Sequence, residues 1–181
     1  MDMVDEEEEA FVPEAVRCAL LPLVRQVEDL DARIAGLDRE IARRHRDSEV
    51  SQRLATIPGV GPITASAVAA TISDASLFRS GRELAAWLGL VPRQNSSGGK
   101  ERLGRITKKG DPYIRRLLVV GALSAIRVHR KNPQAMPWIG RLCARKPQKL
   151  VAVALANKMA RTIWALMASG DRYRAPGAAA A

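Results

Sequence analysis

Apolar side chains recur along the N-terminal part of this 181-residue chain at alternating spacings of three and four residues. This spacing is typical of the seam of a coiled coil, so we expect helices to associate through it. Proline fits only the first turn of a helix, and Pro22 therefore predicts that the regular helix begins near it. Because the seam is short, the alternative is a stripe that packs on its own chain. The seam consists of Leu20, Leu23, Val27, Leu30, Ile34, Leu37 and Ile41.

A glycine-rich turn follows in the segment Ile57-Pro-Gly-Val-Gly-Pro-Ile. Apolar residues precede the turn, and Pro62 suits the first position of a new helix. The arrangement is similar to a helix-hairpin-helix motif, in which Gly59 and Gly61 let the backbone approach a phosphate and helical N–H groups point at the anion. Such a contact holds DNA without reading its sequence. The alternative is an ordinary turn between two helices.

Residues 90–110 lack apolar periodicity and are rich in glycine and basic residues. A stretch of this length without periodicity inside a domain is usually functional or disordered. A short hairpin within it is the one strand pattern in the chain. Ser96 and Ser97 place hydroxyl nucleophiles in this loop, and the bases around them suit a phosphate, although a flexible solvated loop is the alternative. These bases are Arg93, Lys100, Arg102, Arg105, Lys108 and Lys109.

Helix-start signals flank the loop on both sides. Residues Ser80 to Glu83 form a capping-box pattern before a short helix, Arg82–Leu88, that ends at Gly89. After the loop, Asp111 can cap a helix that opens at Pro112. The predicted C-terminal helices run from Pro112 to about Val128, over about Gln134–Ala144, and from Pro147 to about Ser169.

The predicted fold class is all-α, because only the loop shows any strand pattern. An N-terminal coiled-coil helix precedes a compact helical domain with a helix-hairpin-helix motif and a long glycine-rich basic loop. The predicted divisions are a disordered acidic tail at 1–13, the coiled-coil helix at 14–49, the domain at 50–170 and a disordered tail at 171–181.

Positive charge is concentrated in the later part of the chain. The whole sequence has 29 basic and 19 acidic residues, a net charge of +10. Between Arg82 and Arg161, however, 18 basic residues stand against three acids. This excess favours nucleic acid, although a solvated basic surface is the alternative. An aromatic content of 4% argues against a base-stacking platform and for duplex or backbone binding. The candidate nucleic-acid-binding residues are Gly59, Gly61, Arg93, Lys100, Arg102, Arg105, Lys108, Lys109, Arg115 and Arg116.

Other chemistries find little support in the residue pattern. Cys18 and Cys143 are too few for a disulfide framework or a cysteine zinc site. The carboxylates and histidines outside the acidic tail show no ligand spacing, so no metal site is expected. The longest apolar runs fall short of the ~20 residues that span a bilayer, and the acidic N-terminus is unlike a secretory signal. We expect a cytoplasmic protein without membrane contact. Serine attack on a phosphodiester, with arginines neutralising the transition state, is the surviving enzymatic option.

Two segments together resemble a known family: IPGVGPITA at 57–65 and ELAAWLGLVPRQNSSGGKERLGRITKKGDPYIRRLLVVGA at 83–122. Hairpin glycines, Gly-Leu-x-Pro, Ser-Gly-Gly and Arg-Ile-Thr-Lys-x-Gly combine in this order in the C-terminal domain of the Piv/MooV class of insertion-sequence transposases and DNA invertases (insertion sequence family 110, with 116 and 902). The likeness covers about residues 50–170. It implies that the serine followed by glycine, here Ser97, is the strand-exchange nucleophile, with the neighbouring Ser96 as the alternative.

The same resemblance implies an N-terminal RuvC-like domain that holds Mg²⁺ on four acids, and a structured guide RNA as a partner besides DNA. The chain has no room for that domain before residue 16, so we expect a truncated member, inactive alone and without a cofactor of its own. The leading hypothesis is a DNA-binding, serine-bearing transposase domain from a bacterial or archaeal cytoplasm, associated with the nucleoid. The alternatives are a non-catalytic DNA-binding module that forms a homo-oligomer, and a regulator that inhibits full-length transposase through mixed coiled coils.

Overall fold

A computed structural model of the chain describes residues 13–94 and 103–174, apart from the side chains of Leu103 and Ala135. The regular structure of this part is helical except for one two-stranded sheet, so the predicted all-α class is confirmed. The elements are α1 (Glu14–Asp47), α2 (Glu49–Leu54), α3 (Pro62–Thr71), a 3₁₀ turn (Ala75–Leu77), α4 (Gly81–Trp87), β1 (Pro92–Gln94), β2 (Leu103–Ile106), α5 (Pro112–Lys131), a second 3₁₀ turn (Pro133–Ala135), α6 (Pro137–Cys143) and α7 (Gln148–Ser169).

Helix α1 carries the predicted apolar seam and has no buried residue. Leu23 is 57% exposed and Leu37 is 64% exposed, so the seam has an open apolar face. The chain up to Ile41 forms a unit separate from the remainder. The prediction that the regular helix begins near Pro22 is wrong, because α1 starts at Glu14 and contains Pro22 in its interior. Pro22 removes one backbone hydrogen bond, and the other bonds of this 34-residue helix carry it past that position.

A chain of hydrogen-bonded side chains joins the last turns of α1 to α2 and α3. His45 Nδ1 lies 2.7 Å from Ser51 Oγ, and Ser51 Oγ lies 3.2 Å from Ser66 Oγ. Ser51 is only 1% exposed, so these bonds satisfy a hydroxyl that would otherwise be buried without partners. These contacts hold α3, at Ser66, against Ser51 of α2.

The predicted helix-start signals on either side of the loop are confirmed. Ser80 Oγ accepts the Glu83 N–H at the start of α4, and Asp111 Oδ1 accepts the N–H groups of Tyr113 and Ile114 at the start of α5. Helix α4 extends only to Trp87, and α5 runs on to Lys131. Both helices thus begin where the sequence indicated.

The predicted helix over Gln134–Ala144 is wrong in its first part. A 3₁₀ turn ends at Ala135, and α6 begins only at Pro137. Met136 has a non-helical backbone (φ −145°, ψ 71°) because the ring of a following proline disfavours helical backbone at the residue before it. The break shortens the helix to seven residues.

Helices α4, α5 and α7 form the centre of the core, and α7 packs against both of the others. One face of α7 is buried through Leu155, Met159 and Ile163. Among the described residues, α7 is the one helix long and apolar enough to cross a membrane by length and composition. Its apolar face nevertheless forms the interior of this domain. The helix ends where predicted, at Gly170, whose φ of +74° lies in the left-handed region.

Candidate nucleic-acid interface

The hairpin predicted within the basic loop is confirmed. β1 and β2 pair antiparallel, with Gln94 opposite Leu103. Beyond the strands, the Lys108 N–H donates to the Gly89 carbonyl oxygen at 3.1 Å, so the pairing continues down to the end of α4. Chain segments before and after the serines are therefore held side by side. We call these segments, residues 89–94 and 103–110, the hairpin stem.

Backbone contacts hold the base of the hairpin stem against the end of α4. Gly89 (φ +70°) and Gly110 (φ +80°) both adopt left-handed backbone conformations that favour glycine. A Cβ on Gly89 would collide with the backbone of Lys109, and one on Gly110 would collide with the Trp87 carbonyl oxygen. Lys108 shares the left-handed region, with φ 56°, where a non-glycine residue is strained. The direction in which the stem leaves the domain is thus set by close backbone packing.

Four cations stand on the hairpin stem with their side chains exposed: Arg93, Arg105, Lys108 and Lys109. Arg93 Nη2 lies 3.5 Å from the Thr107 carbonyl oxygen, a long contact that leaves the guanidinium open to another partner. Charges of one sign on a short rigid element raise the local potential and attract phosphate. The stem can therefore hold a nucleic-acid backbone next to the segment that contains the serines.

Arg115 and Arg116, both predicted to bind nucleic acid, lie in different surroundings. Arg115 is half-buried, and Arg116 is exposed on α5. Arg115 Nη1 donates to the Leu88 carbonyl oxygen at 3.0 Å and to that of Lys109 at 3.2 Å. Longer contacts of the same nitrogen reach the carbonyl oxygens of Gly110 and Asp111. Arg115 therefore ties the end of α4 to the base of the hairpin stem, a structural role that its position in the sequence did not indicate.

The two hairpin glycines also differ in their surroundings. Gly59 has φ +88° and packs on the backbone of Gly121 in α5. Gly61 precedes Pro62 at the start of α3, is exposed, and has open space where a Cβ would stand. Of the two, Gly61 is the more exposed and the one with open space beside its Cα.

The predicted nucleophile Ser97 lies outside the described residues, as do Ser96, Lys100 and Arg102. In the sequence, all four fall between Gln94 and Leu103, which are paired. The assignment of Ser97 stays a prediction.

In residues 13–94 and 103–174, no three histidine, cysteine, aspartate or glutamate side chains converge on a point where a metal ion could bind. The acidic groups described there do not fit the Mg²⁺ that the family resemblance implies.

Sequence reasoning missed a second cluster of cations. Arg82 at the start of α4 and Lys158 and Arg161 on α7 line one groove. Arg82 is far from the other two in the sequence, which hides their proximity. The spacing of Lys158 and Arg161, three residues apart on a helix, is a signal that could have placed those two on one face.

Comparison with known proteins shows what the chain is similar to. Residues 51–136 match the family model described as Transposase IS116/IS110/IS902 family. The protein named "Probable family 20 transposase" from Pseudomonas aeruginosa is 48% identical over 171 residues, which are 94% of this chain and 50% of that protein. The transposase for insertion sequence element IS1111A of Coxiella burnetii is 39% identical over 153 residues, 84% of this chain and 42% of its own length. The transposase for insertion sequence element IS1328 of Yersinia enterocolitica is 39% identical over 168 residues, which are 92% of this chain and 50% of that protein.

Residues 51–136 of the chain therefore resemble the IS116/IS110/IS902 transposase family, and the resemblance identified from its sequence is confirmed. The family match covers the glycine turn, α3, α4, the hairpin stem and α5. The chain spans about half the length of the curated relatives it matches.

Proposed function

We propose that this chain binds DNA through the hairpin stem and that Ser97 is the nucleophile of DNA strand exchange. The observation that carries the proposal is the stem itself, a paired and backbone-packed element with exposed cations on both strands. Because its strands flank the segment containing Ser97, a phosphate held by Arg93 and Arg105 would lie close to that segment. Gly61 at the start of α3 offers a second backbone contact to the same DNA.

In the proposed reaction, the Ser97 hydroxyl oxygen bonds to the phosphorus of a DNA phosphodiester. The bond from phosphorus to one deoxyribose oxygen breaks, and the proton of the serine ends on that oxygen. The cut strand stays attached to the protein as a phosphoserine ester. The oxygen of another deoxyribose hydroxyl then attacks the phosphorus, the bond from phosphorus to the Ser97 oxygen breaks, and the proton of the attacking hydroxyl ends on Ser97, which is regenerated as the new strand is joined. Arg93 and Arg105 stabilise the negative charge that develops on the phosphorus oxygens.

Mg²⁺ and a RuvC-like domain are expected for the whole transposase from the family resemblance. When bound there, the ion would supply charge neutralisation and activation of the attacking oxygen. The described residues of this chain provide no donor set for it. The contribution proposed for this chain is therefore to bind DNA and to supply the serine.

Association through α1 and a cytoplasmic, nucleoid-associated location complete the proposal. The open apolar face of α1 supports self-association, since a contiguous apolar patch on a soluble protein usually marks an interface. A structured guide RNA, which the family resemblance implies, would be attracted by the same positive charge.

The test of DNA binding uses the full chain and a labelled duplex of about 30 base pairs, with fluorescence anisotropy between 50 and 200 mM salt. We expect log K to fall linearly with log salt, by about 0.9 for each phosphate contacted. The double variant Arg93→Gln/Arg105→Gln should bind less tightly, and the magnitude of its slope should be smaller by about 1.8, the value for two lost phosphate contacts. Arg141→Gln/Arg145→Gln, on exposed side chains in and just after α6, removes the same charge and is the matched control. A slope near zero, or equal losses for both double variants, would contradict the proposal.

A further inference from the structure

A groove of about 750 Å³ lies beside the exposed face of α7. Its lining residues do not include those proposed to act in the hairpin, although Asn157 of the groove donates to the Leu90 carbonyl oxygen at 3.2 Å. We call this cavity the α7 groove, lined in part by Arg82, Trp138, Asn157, Lys158, Arg161 and Trp164. Its size falls within the range of pockets that hold small ligands. Of the described side chains that line it, three are cationic and none is a carboxylate.

The groove exists because α4 and α7 cross at very short range. Gly81 is buried, and a Cβ there would stand 2.9 Å from both Cα and the carbonyl oxygen of Arg161. This contact brings Arg82, the next residue, to the same crossing as Arg161. Ala154 and Ala165, both exposed on α7, also line the groove and leave it open because they carry only a methyl group. The cations therefore stand around a cavity that small residues keep empty.

Two of the three tryptophans of the chain line this groove. The Trp164 indole N–H donates to the carbonyl oxygens of Ala75 and Phe78, at 3.1 and 3.0 Å, which fixes its ring as a wall. Lys158 Nζ lies 4.3 Å from the centre of the Trp138 ring. A cation–π contact at an exposed site is weak, so the lysine can exchange the ring for a stronger anionic partner.

We infer that the α7 groove binds an unpaired strand of nucleic acid. Arg82 and Arg161 hold successive phosphates, and Lys158 leaves the Trp138 ring for a phosphate so that a base can stack on that ring. Duplex bases are stacked on one another, so only a base outside a duplex can reach the ring. The inference rests on the proposed function in one respect, the attraction of nucleic acid to this chain, and adds a second site with a different preference.

The test measures binding of the full chain to labelled dT20 and U20, which distinguish a DNA strand from an RNA strand. Arg82→Gln/Arg161→Gln should weaken binding of the preferred strand at least tenfold, and the equal-charge control Arg141→Gln/Arg145→Gln less than threefold. Trp138→Leu should weaken binding of the preferred strand at least fivefold. Trp138→Phe keeps an aromatic face and should therefore retain most of the affinity. Trp87→Leu, which changes an exposed tryptophan outside the groove, is the control for Trp138→Leu.

Circular dichroism confirms that each variant is folded. If Trp138→Leu is unfolded, the test depends on Arg82→Gln/Arg161→Gln. Both arginines are exposed, so their replacement should leave the protein folded. The inference is overturned if the groove pair loses no more affinity than its control, if folded Trp138→Leu binds as the unchanged chain does, or if inorganic polyphosphate competes as well as the strands do. If the chain binds the duplex but neither single strand, strand binding in the α7 groove is refuted and the proposed function is unaffected. A chain that binds none of the three refutes both.

Discussion

The backbone of Gly59 lies directly against the backbone of Gly121. A Cβ on Gly59 would stand 2.5 Å from the Gly121 carbonyl oxygen, and a Cβ on Gly121 would collide with the Gly59 carbonyl oxygen. Gly121 lies in the middle of α5, and Gly59 lies in the turn between α2 and α3. The pair of glycines therefore fixes the glycine turn to the helix that follows the hairpin stem.

The first prediction concerns the stability conferred by this contact. Gly121→Ala should lower the free energy of unfolding by about 1–3 kcal/mol, because a methyl group must push two backbones apart. Gly59→Ala should cost at least as much, since its φ of +88° adds backbone strain to the collision. Urea unfolding followed by circular dichroism measures both. Unchanged stability in Gly121→Ala would show that the helix and turn can separate freely.

The second prediction concerns Gly61, the other glycine of the same turn, which serves as the comparison for Gly59. Gly61→Ala should leave the free energy of unfolding nearly unchanged, because a Cβ there meets no atom within 4 Å. It should nevertheless weaken duplex binding severalfold if a phosphate approaches the start of α3. Anisotropy and urea unfolding on one preparation separate the two effects. A variant that binds DNA as tightly as the unchanged chain would assign the glycine turn to folding alone.

The third prediction concerns association through α1. The full chain should be at least dimeric at tens of micromolar, and Leu30→Glu/Leu37→Glu should make it monomeric, because two charges would be buried in the seam. Ala32→Glu/Ala35→Glu adds the same charges to the opposite side of the helix and should leave the assembly intact. Light scattering coupled to size exclusion gives the mass. A monomeric unchanged chain, or equal effects of the two double variants, would exclude the seam as the interface.

The fourth prediction concerns Ser97. In a chimaera where this chain replaces the C-terminal half of a full-length relative, cleavage of element DNA should leave a covalent protein–DNA adduct on a denaturing gel. Ser97→Ala should abolish the adduct and retain DNA binding, and Ser96→Ala should leave much of it.

The outcomes for the two serines separate the remaining hypotheses. An adduct lost only in Ser96→Ala would move the nucleophile by one residue. An adduct that survives both changes would refute serine attack within this loop. DNA binding without any adduct would favour the non-catalytic module.

Local signals in the sequence predicted most of the helix boundaries. Ser80 and Asp111 cap helices as expected, and Gly170 ends α7. These features depend on a few neighbouring residues, so they can be read without knowing the fold. Pro22 does not mark the start of α1, because one missing hydrogen bond does not end a long helix whose other bonds remain.

Features that depend on distant contacts could not be predicted in this way. Arg115 resembles any other basic residue near the loop, and only the packing of α4 beside it reveals its bonds to the Leu88 and Lys109 carbonyl oxygens. The α7 groove likewise depends on Gly81 crossing α7 at Arg161, two positions separated by most of the domain. A low aromatic content also hid that Trp138 and Trp164 line the same groove.

The attachment of the hairpin stem limits which of its residues can change. Gly89 and Gly110 hold its base through main-chain atoms, which every amino acid shares. A side chain at either position would collide with these main-chain atoms, so a change at either glycine displaces the whole stem. Side chains elsewhere on the stem can therefore change without moving its anchor, whereas the anchor itself tolerates almost no substitution.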